Sequence, residues 1–383
     1  MPRSAARRHA PRARHAARRA RWRRVLTALG VTVAVLLATG SVSAFVVYQK
    51  LNGNITQENV DNLIGGGRPT KVEVPDAPQE PLNILLLGSD ERSGKAAENA
   101  NVAGRRSDTT ILLHLAADRQ SAVMVSIPRD TMVPIPTCKR PDGTEVAAHS
   151  LAMFNSAFSE AGAACTIKTV EKLTNIRIDH HVVVDFGGFK DMVDAINGVS
   201  VCIPQPLDDP GYLHVHFDAG QDVHLDGAQA LNYVRLRHVL SGTDIGRMKR
   251  QQSFIAAMTH KVFSSDNLTR PDRLLRFANA LTSSLQASPG LASPGALVDL
   301  VSELKDVDLT HIRFVTMPSF LYAEGTAGYP HVGLSPSYTQ LVQRVHDDLP
   351  LGSFVRDSLS ANGPKQHTSQ TQKDAAAAAG ICA

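Results

Sequence analysis

Four short stretches concentrate charged side chains whose types and spacing could do chemistry on an anion. Gly88-Ser89-Asp90-Glu91-Arg92 directly follows an apolar run; a strand ending in a glycine turn can present a side chain at a sheet edge. Arg105-Arg106-Ser107-Asp108 immediately precedes a second run. In extended backbone Arg106 and Asp108 point to the same side, because side chains alternate. Ser126-Ile127-Pro128-Arg129-Asp130 closes a third run. The fourth stretch is VRLRH followed by DIGRMKRQQ, within 234–252. There Arg235 and Arg237 share a side if extended, and Arg247, Arg250 and Gln251 share a helix face by i, i+3, i+4 spacing. Taken singly, these groups fit ordinary salt-bridging, with Asp130 bracing a turn and Asp244 capping a helix. Taken together, they place arginines at strand ends and at a helix start, where open α/β sheets bind ligands. Clustered guanidiniums repel one another unless an anion sits among them, and the planar fork of arginine suits phosphate.

Two other chemistries fit less well. Residues 88–95 nearly match a P-loop after a strand, but one residue too many separates the glycines and Ala96 stands where Ser or Thr is required. His214 and His216 form an H-x-H pair with His224 nearby, yet no suitably spaced carboxylate or cysteine completes a metal site.

Alternating strand-like and helix-like segments must position these groups. Strands are expected at 82–88, 109–117, 121–128, 180–186, 199–204 and 311–317. Helices are expected at 151–175 with a break at Gly162, and at 188–196, 226–234, 244–263, 271–286, 296–305 and 336–348, with Asp226 and Asp244 or Thr243 as caps. This alternation predicts an α/β sandwich around a mostly buried sheet.

The stretches NILLLGSDER, GRRSDTTIL, MVSIPRDTMVPIP, MFNSAF, HHVVVDFGGFKDMVDAINGV, LDGAQALNYVRLRH and DIGRMKRQQ lie in that order over about 82–263. As a set they resemble the LytR-CpsA-Psr family of cell-wall glycopolymer ligases. The resemblance implies a mixed-sheet α/β/α sandwich enclosing a hydrophobic tunnel for a polyprenyl chain; segments 182–203 and 254–285 carry enough apolar residues to line one. It implies transfer of a glycopolymer with its linking phosphate from a polyprenyl (pyro)phosphate carrier to a muramic acid hydroxyl of peptidoglycan. Matched residue by residue, Asp90 and Asp108 correspond to carboxylates that hold Mg²⁺ (or Mn²⁺). Arg106, Arg129, Arg235, Arg237 and Arg247 correspond to pyrophosphate-binding arginines, and Gln251 to a polar residue of the same pocket. Arg250 stands at a position that varies in the family, and Asp130 and Asn155 fall in motifs read first as scaffolding. The chemistry agrees: attack on a pyrophosphate is mostly positioning and charge neutralisation, which arginines and Mg²⁺ supply. A polyprenyl-pyrophosphate hydrolase would use the same residues with water as acceptor. A non-catalytic lipid-carrier-binding regulator would not need all of them.

The chain ends set the topology. Residues 1–24 contain ten arginines and no acidic residue, and 25–48 carry no charge. An apolar run of about 20 residues is what a helix needs to cross a bilayer, and the basic flank places the N-terminus in the cytoplasm. Cleavage after Val42-Ser43-Ala44 would make this run a signal peptide, but it continues through Tyr48; either way the remainder is exported. The expected layout is a basic cytoplasmic tail (1–24), a membrane helix (25–48), a Gly- and Pro-rich linker (49–81), a catalytic domain (82–350) outside the cell, and a disordered tail (351–383). Of 40 Lys+Arg and 36 Asp+Glu, removal of the ten tail arginines leaves 30 against 36, or −6. The basic balance is therefore a topology signal, and no nucleic-acid partner is expected. The expected partners are a polyprenyl-linked glycan, peptidoglycan and the bilayer. Of Cys138, Cys165, Cys202 and Cys382, the first two are the favoured disulfide pair because they close a loop within one region; spacing alone leaves connectivity open.

Overall fold

The computed structural model describes residues 11–89, 107–237, 239, 244–264, 267, 269–305, 307–326 and 330–360. The chain divides into two units, Met1–Lys50 and Leu51–Ala383. The first consists of helix α1, which begins at Pro11 and runs on to Asn54. Within it, Leu26–Asn54 spans 29 residues, and an 18-residue window of it has mean hydropathy 2.1, long and apolar enough to cross a membrane. Two of its hydroxyls are satisfied locally: Thr32 and Thr39 donate to the carbonyls of Ala28 and Val35 four residues back.

The second unit is built on an eight-stranded mixed sheet. Its strands are β1 (Thr56–Gln57), β2 (Leu82–Ser89), β3 (Ser107–Leu115), β4 (Ala122–Ile127), β5 (His180–Asp185), β6 (Leu285–Ala287), β7 (Ile312–Thr316) and β8 (Leu359–Ser360), in spatial order β1-β6-β5-β2-β3-β4-β7-β8. The pairs β1·β6, β2·β5 and β4·β7 are parallel, and the other neighbours are antiparallel. The central strands are apolar on both sides, so both faces must be covered. Leu85, Leu87 and Leu112 pack on one face against Ile64, Ile167, Val170 and Leu341. These come from helices α2 (Asp61–Ile64) and α3 (Ser156–Thr174), and from α9 (Tyr338–His346). Ile84, Leu113 and Leu115 pack on the other face with Ala256, Leu281 and Leu300. That layer contains α6 (Asp244–Val262), α7 (Pro271–Ser284) and α8 (Pro294–Lys305). A third apolar cluster joins α4 (Phe186–Ala195), α5 (Gly227–Arg235) and α6 to the hairpin of Val199–Ile203 with Gly220–Leu225.

The expected fold class is therefore present, and several local expectations are met. The α3 break falls at Ala161 and Gly162, where Gly162 takes φ 69°. Asp226 caps α5 in a reciprocal capping box with Gln229. Cys138 and Cys165 are joined by a disulfide.

Two boundaries need correction. The segment read as a linker (49–81) is part of the folded unit: Thr56 and Gln57 pair with Gln286 and Ala287, and Ile55, Val60 and Ile64 are buried. The Arg68 guanidinium meets the buried Glu171 carboxylate at 2.6 Å and donates to the Ile178 carbonyl at 2.5 Å. Three well-spaced apolar residues and one buried ion pair dock a segment whose glycines and prolines suggest a tether. The region read as a disordered tail (351–383) likewise begins in ordered structure. Gly352–Asp357 forms a 3-10 helix, and Leu359–Ser360 completes the sheet as β8 beside Phe314. Residues 361–383, with Cys382, lie outside the described residues.

Candidate active site

The groups singled out from sequence converge at one end of the sheet because of its register. Thr110 of β3 pairs with Ile127 of β4, so continuing both strands by two residues brings Asp108 opposite Arg129. The Arg129 Nη1 donates to the Asp108 carboxylate, and the Arg129 Nε lies 3.3 Å from Asp130. The Arg129 carbonyl in turn accepts from the Asn155 backbone N–H at 3.0 Å, which ties this loop to the start of α3. On the other side Ser89, at the end of β2, pairs with Ser107 and with Asp185 at the end of β5. Asp185 then caps α4, its Oδ1 accepting from the Gly188 N–H at 2.7 Å.

Helices close the site from one face. The α6 helix is pinned to the sheet by Gln252, whose amide donates to the hydroxyls of Ser126 at 2.8 Å and Thr316 at 3.1 Å. The α5 helix approaches α4 so closely that a Cβ on Gly227 would come within 2.3 Å of the Lys190 carbonyl, and the Gly227 N–H donates to Asp194 at 2.7 Å.

Between these elements lies a cavity of about 230 Å³. Among the described residues its charged lining consists of Asp108, Asp185, Arg235, Arg237 and Arg247, with Gln251 beside them. The rest is mostly apolar, including Leu86, Ile111, Val184, Phe186, Phe189, Met192, Phe254, Ile255 and Met258. The change in polarity runs along α6: Arg247 and Gln251 are one turn apart, and Phe254, Ile255 and Met258 follow on adjoining turns. Arg237 Nη2 lies 3.4 Å from the Asp108 carboxylate and Arg247 Nη2 donates to the Asp108 carbonyl at 3.5 Å. The Arg235 guanidinium stands 5.2 Å over the Phe186 ring, a cation–π contact that holds it at the cavity wall. Three arginines thus gather around Asp108, Arg129 and Arg237 at its carboxylate and Arg247 at its backbone carbonyl.

Not every expected residue faces this cavity. Arg129 reaches it through Asp108. Arg250 departs from the reading of a shared face: its side chain is buried, and its Nη2 donates to the Leu236 carbonyl at 2.6 Å. Burial pushes its guanidinium down to about 10, opposed by Tyr233 and reinforced by Arg247. Burial likewise raises the Tyr233 phenol. Arg250 therefore braces the α5–α6 junction. Gln251 lines the cavity while its amide donates to the Val234 carbonyl at 3.1 Å. Asp90 and Arg106 lie outside the described residues. Sequence reasoning missed Asp185 and Phe186, although a strand end running into a helix start was a readable signal. It also missed Tyr212, 59% exposed at the cavity, for which the sequence carries no signal. The H-x-H pair belongs elsewhere: His216 sits between Asp208 at 2.5 Å and Asp218 at 3.1 Å on an exposed hairpin. Among the described residues no group of three or more His, Cys, Asp or Glu is placed to hold a metal.

Comparison with known proteins bears out the family that the motif set resembles. The LytR_cpsA_psr family model matches residues 47–343. The chain belongs to that family. It is 30% identical over 325 residues to the cell wall biosynthesis protein LcpA of Corynebacterium glutamicum, covering 78% of this chain and 60% of the relative. It is 29% identical over 263 residues to the polyisoprenyl-teichoic acid–peptidoglycan teichoic acid transferase TagV of Bacillus subtilis, covering 67% and 63%. The chain thus spans about three fifths of the length of these two relatives. The crystal structure of B. subtilis TagV aligns with TM-score 0.51 at 26% identity, over 71% of this chain and 99% of that one. A structure of TagT bound to LIIa-WTA shares the fold, with TM-score 0.52 at 24% identity over 74% and 97%. The family segment starts at residue 47, ahead of β1, in keeping with the packing of residues 55–68 onto the sheet.

Proposed function

We propose that this protein transfers a glycopolymer, with its linking phosphate, from a polyprenyl (pyro)phosphate carrier to a hydroxyl of peptidoglycan. One observation carries the reading: a single cavity joins an arginine-rich rim to an apolar interior. A polyprenyl pyrophosphate has that same division, a dense anion on a hydrocarbon chain. Arg235, Arg237 and Arg247 would neutralise the anion, and Phe186, Phe189, Phe254 and Met258 would receive the first part of the tail. The name of the relative TagV supports this substrate class and acceptor, and that of LcpA supports a place in cell wall biosynthesis.

Arg129 acts by position. By gripping Asp108 it sets the carboxylate that Arg237 also meets, so the rim is organised before substrate arrives. Asp108 offers a hard oxygen donor on the cavity wall, which fits Mg²⁺ or Mn²⁺, since such ions take one or two carboxylates together with substrate phosphates. Asp108, with Asp90, would hold the ion, which would neutralise phosphate charge as the acceptor hydroxyl attacks. The apolar stretch Leu26–Asn54, with its arginine-rich leading side, supports a membrane anchor with a cytoplasmic N-terminus and a domain facing the wall.

The test is transfer by the full chain in lipid nanodiscs, supplied with a lipid-linked glycan and peptidoglycan. Glycan bound covalently to peptidoglycan, together with released polyprenyl phosphate, is the expected product. Arg129→Ala and Arg235→Ala should each lower it at least tenfold. Wild-type activity in both would overturn the site assignment, and carrier cleavage that ignores peptidoglycan would identify a hydrolase.

A further inference from the structure

A small hairpin flanks the Arg129 loop. Its strands, Ser319–Leu321 and Val332–Leu334, are antiparallel. Thr131 pairs in parallel with Val332, and the Val332 N–H donates to the Asp130 carbonyl at 3.2 Å. The outer strand is therefore two strand spacings, roughly 10 Å, from Asp130. That outer strand carries Phe320, which is 44% exposed. Its ring crosses over Gly333, the cross-strand partner, where a Cβ would come within 2.5 Å of the ring Cζ. Tyr322 lies on the same face by the strand period of two and meets Phe320 edge-on, with centroids 5.1 Å apart. A glycine and a second ring thus fix the orientation of an aromatic side chain that the fold leaves open to solvent.

We propose that Phe320 and Tyr322 form a stacking platform for the saccharide acceptor. They would hold sugars next to the one whose hydroxyl enters the Asp108–Arg129 region. This rests on the transferase reading above. A sugar ring offers a C–H face that stacks on the negative face of an aromatic ring, while its hydroxyl rim stays in water. The surroundings suit that division: Glu324 and Thr326 are exposed, and Ser319 and His331 half-buried, so the platform is narrow and polar-edged. A protein partner would call for a broader apolar patch. Continuity with the Arg129 loop through Val332 favours an occupant that also reaches the reaction centre, as a glycan strand would.

The experiment measures two quantities on the full chain in nanodiscs: binding of soluble, donor-free peptidoglycan glycan strands, and the KM for acceptor and for donor in the transfer assay. Phe320→Ala and Tyr322→Ala should weaken strand binding and raise acceptor KM by about tenfold, with donor KM unchanged. Phe320→Trp should keep both, and Phe320→Leu, which retains apolar volume without a ring, should not. Unchanged strand binding in folded Phe320→Leu overturns the platform. So does a wild type that binds no strands, or a loss confined to self-association. If strands bind through the platform but receive no glycan, the platform stands and the transferase reading fails.

Discussion

Replacing Asp108 by asparagine removes the charge that Arg129 and Arg237 meet while keeping the side-chain volume. Asp108 is 19% exposed at its side chain, against 10% for Arg129 and 31% for Arg237. Breaking a buried pair by removing one partner costs about 3–5 kcal/mol, because the other charge is left without compensation. Partial exposure of Asp108, and an asparagine oxygen that still accepts from Arg129, bring this to about 2–3 kcal/mol. The more exposed Arg237 contact adds little. For a domain of this size each kcal/mol is about 2–3 °C of Tm, so Asp108→Asn should melt roughly 4–9 °C below wild type. If the arginines form an anion site, inorganic pyrophosphate should restore stability more strongly in the variant than in wild type, since it supplies the missing negative charge. Thermal melts of the full chain in nanodiscs, without metal and with a pyrophosphate titration, measure both. A variant that melts with wild type, or pyrophosphate that shifts both proteins equally, would refute the reasoning.

Arg68→Ala should cost about 3 kcal/mol by stranding the buried Glu171, and should expose residues 66–81 to protease; resistance equal to wild type would show that the ion pair does not hold the segment down. Serine at both Cys138 and Cys165 opens a loop with sequence separation 27, worth roughly 3.5 kcal/mol by chain entropy, checked by urea denaturation. The His216 imidazole is raised by its hydrogen bonds to Asp208 and then Asp218. The support it gives its hairpin is therefore full below about pH 6.5, the unfolded value, and is lost as pH rises through the higher folded value. An NMR titration midpoint at or below 6.5, or one that Asp208→Asn leaves in place, would contradict this.

The parts of the fold legible in the sequence are those with strong period or strong punctuation. Two-sided apolar runs gave β2 to β4, Gly162 marked the break in α3, and Asp226 marked the start of α5. The strands β1, β6 and β8 have two or three residues each, too few for any period, and form because a neighbouring edge is available. Residues 55–68 were misread because composition was averaged over a segment whose few apolar positions are the ones that pack. At the site, convergence of Asp108 and Arg129 follows from strand ends and register. Arg250 could not be separated from Gln251 in the same way. Relative to Arg247 they lie about 60° to one side and 40° to the other on the helical wheel, and only tertiary packing decides which of them sees the cavity.

The polarity gradient along α6 has a consequence for substrate selection. From Arg247 to Met258 the helix advances eleven residues, roughly 16 Å at 1.5 Å each. If the anion of the carrier rests at Arg247, that helix is a ruler that reads only the head-proximal part of the hydrocarbon chain. On that footing the tail beyond Met258 would make no contact with this helix and would add nothing to its discrimination. Carriers that differ only at the far end of their tails would then be accepted alike, and selectivity between glycopolymers would have to come from the sugar side of the phosphates.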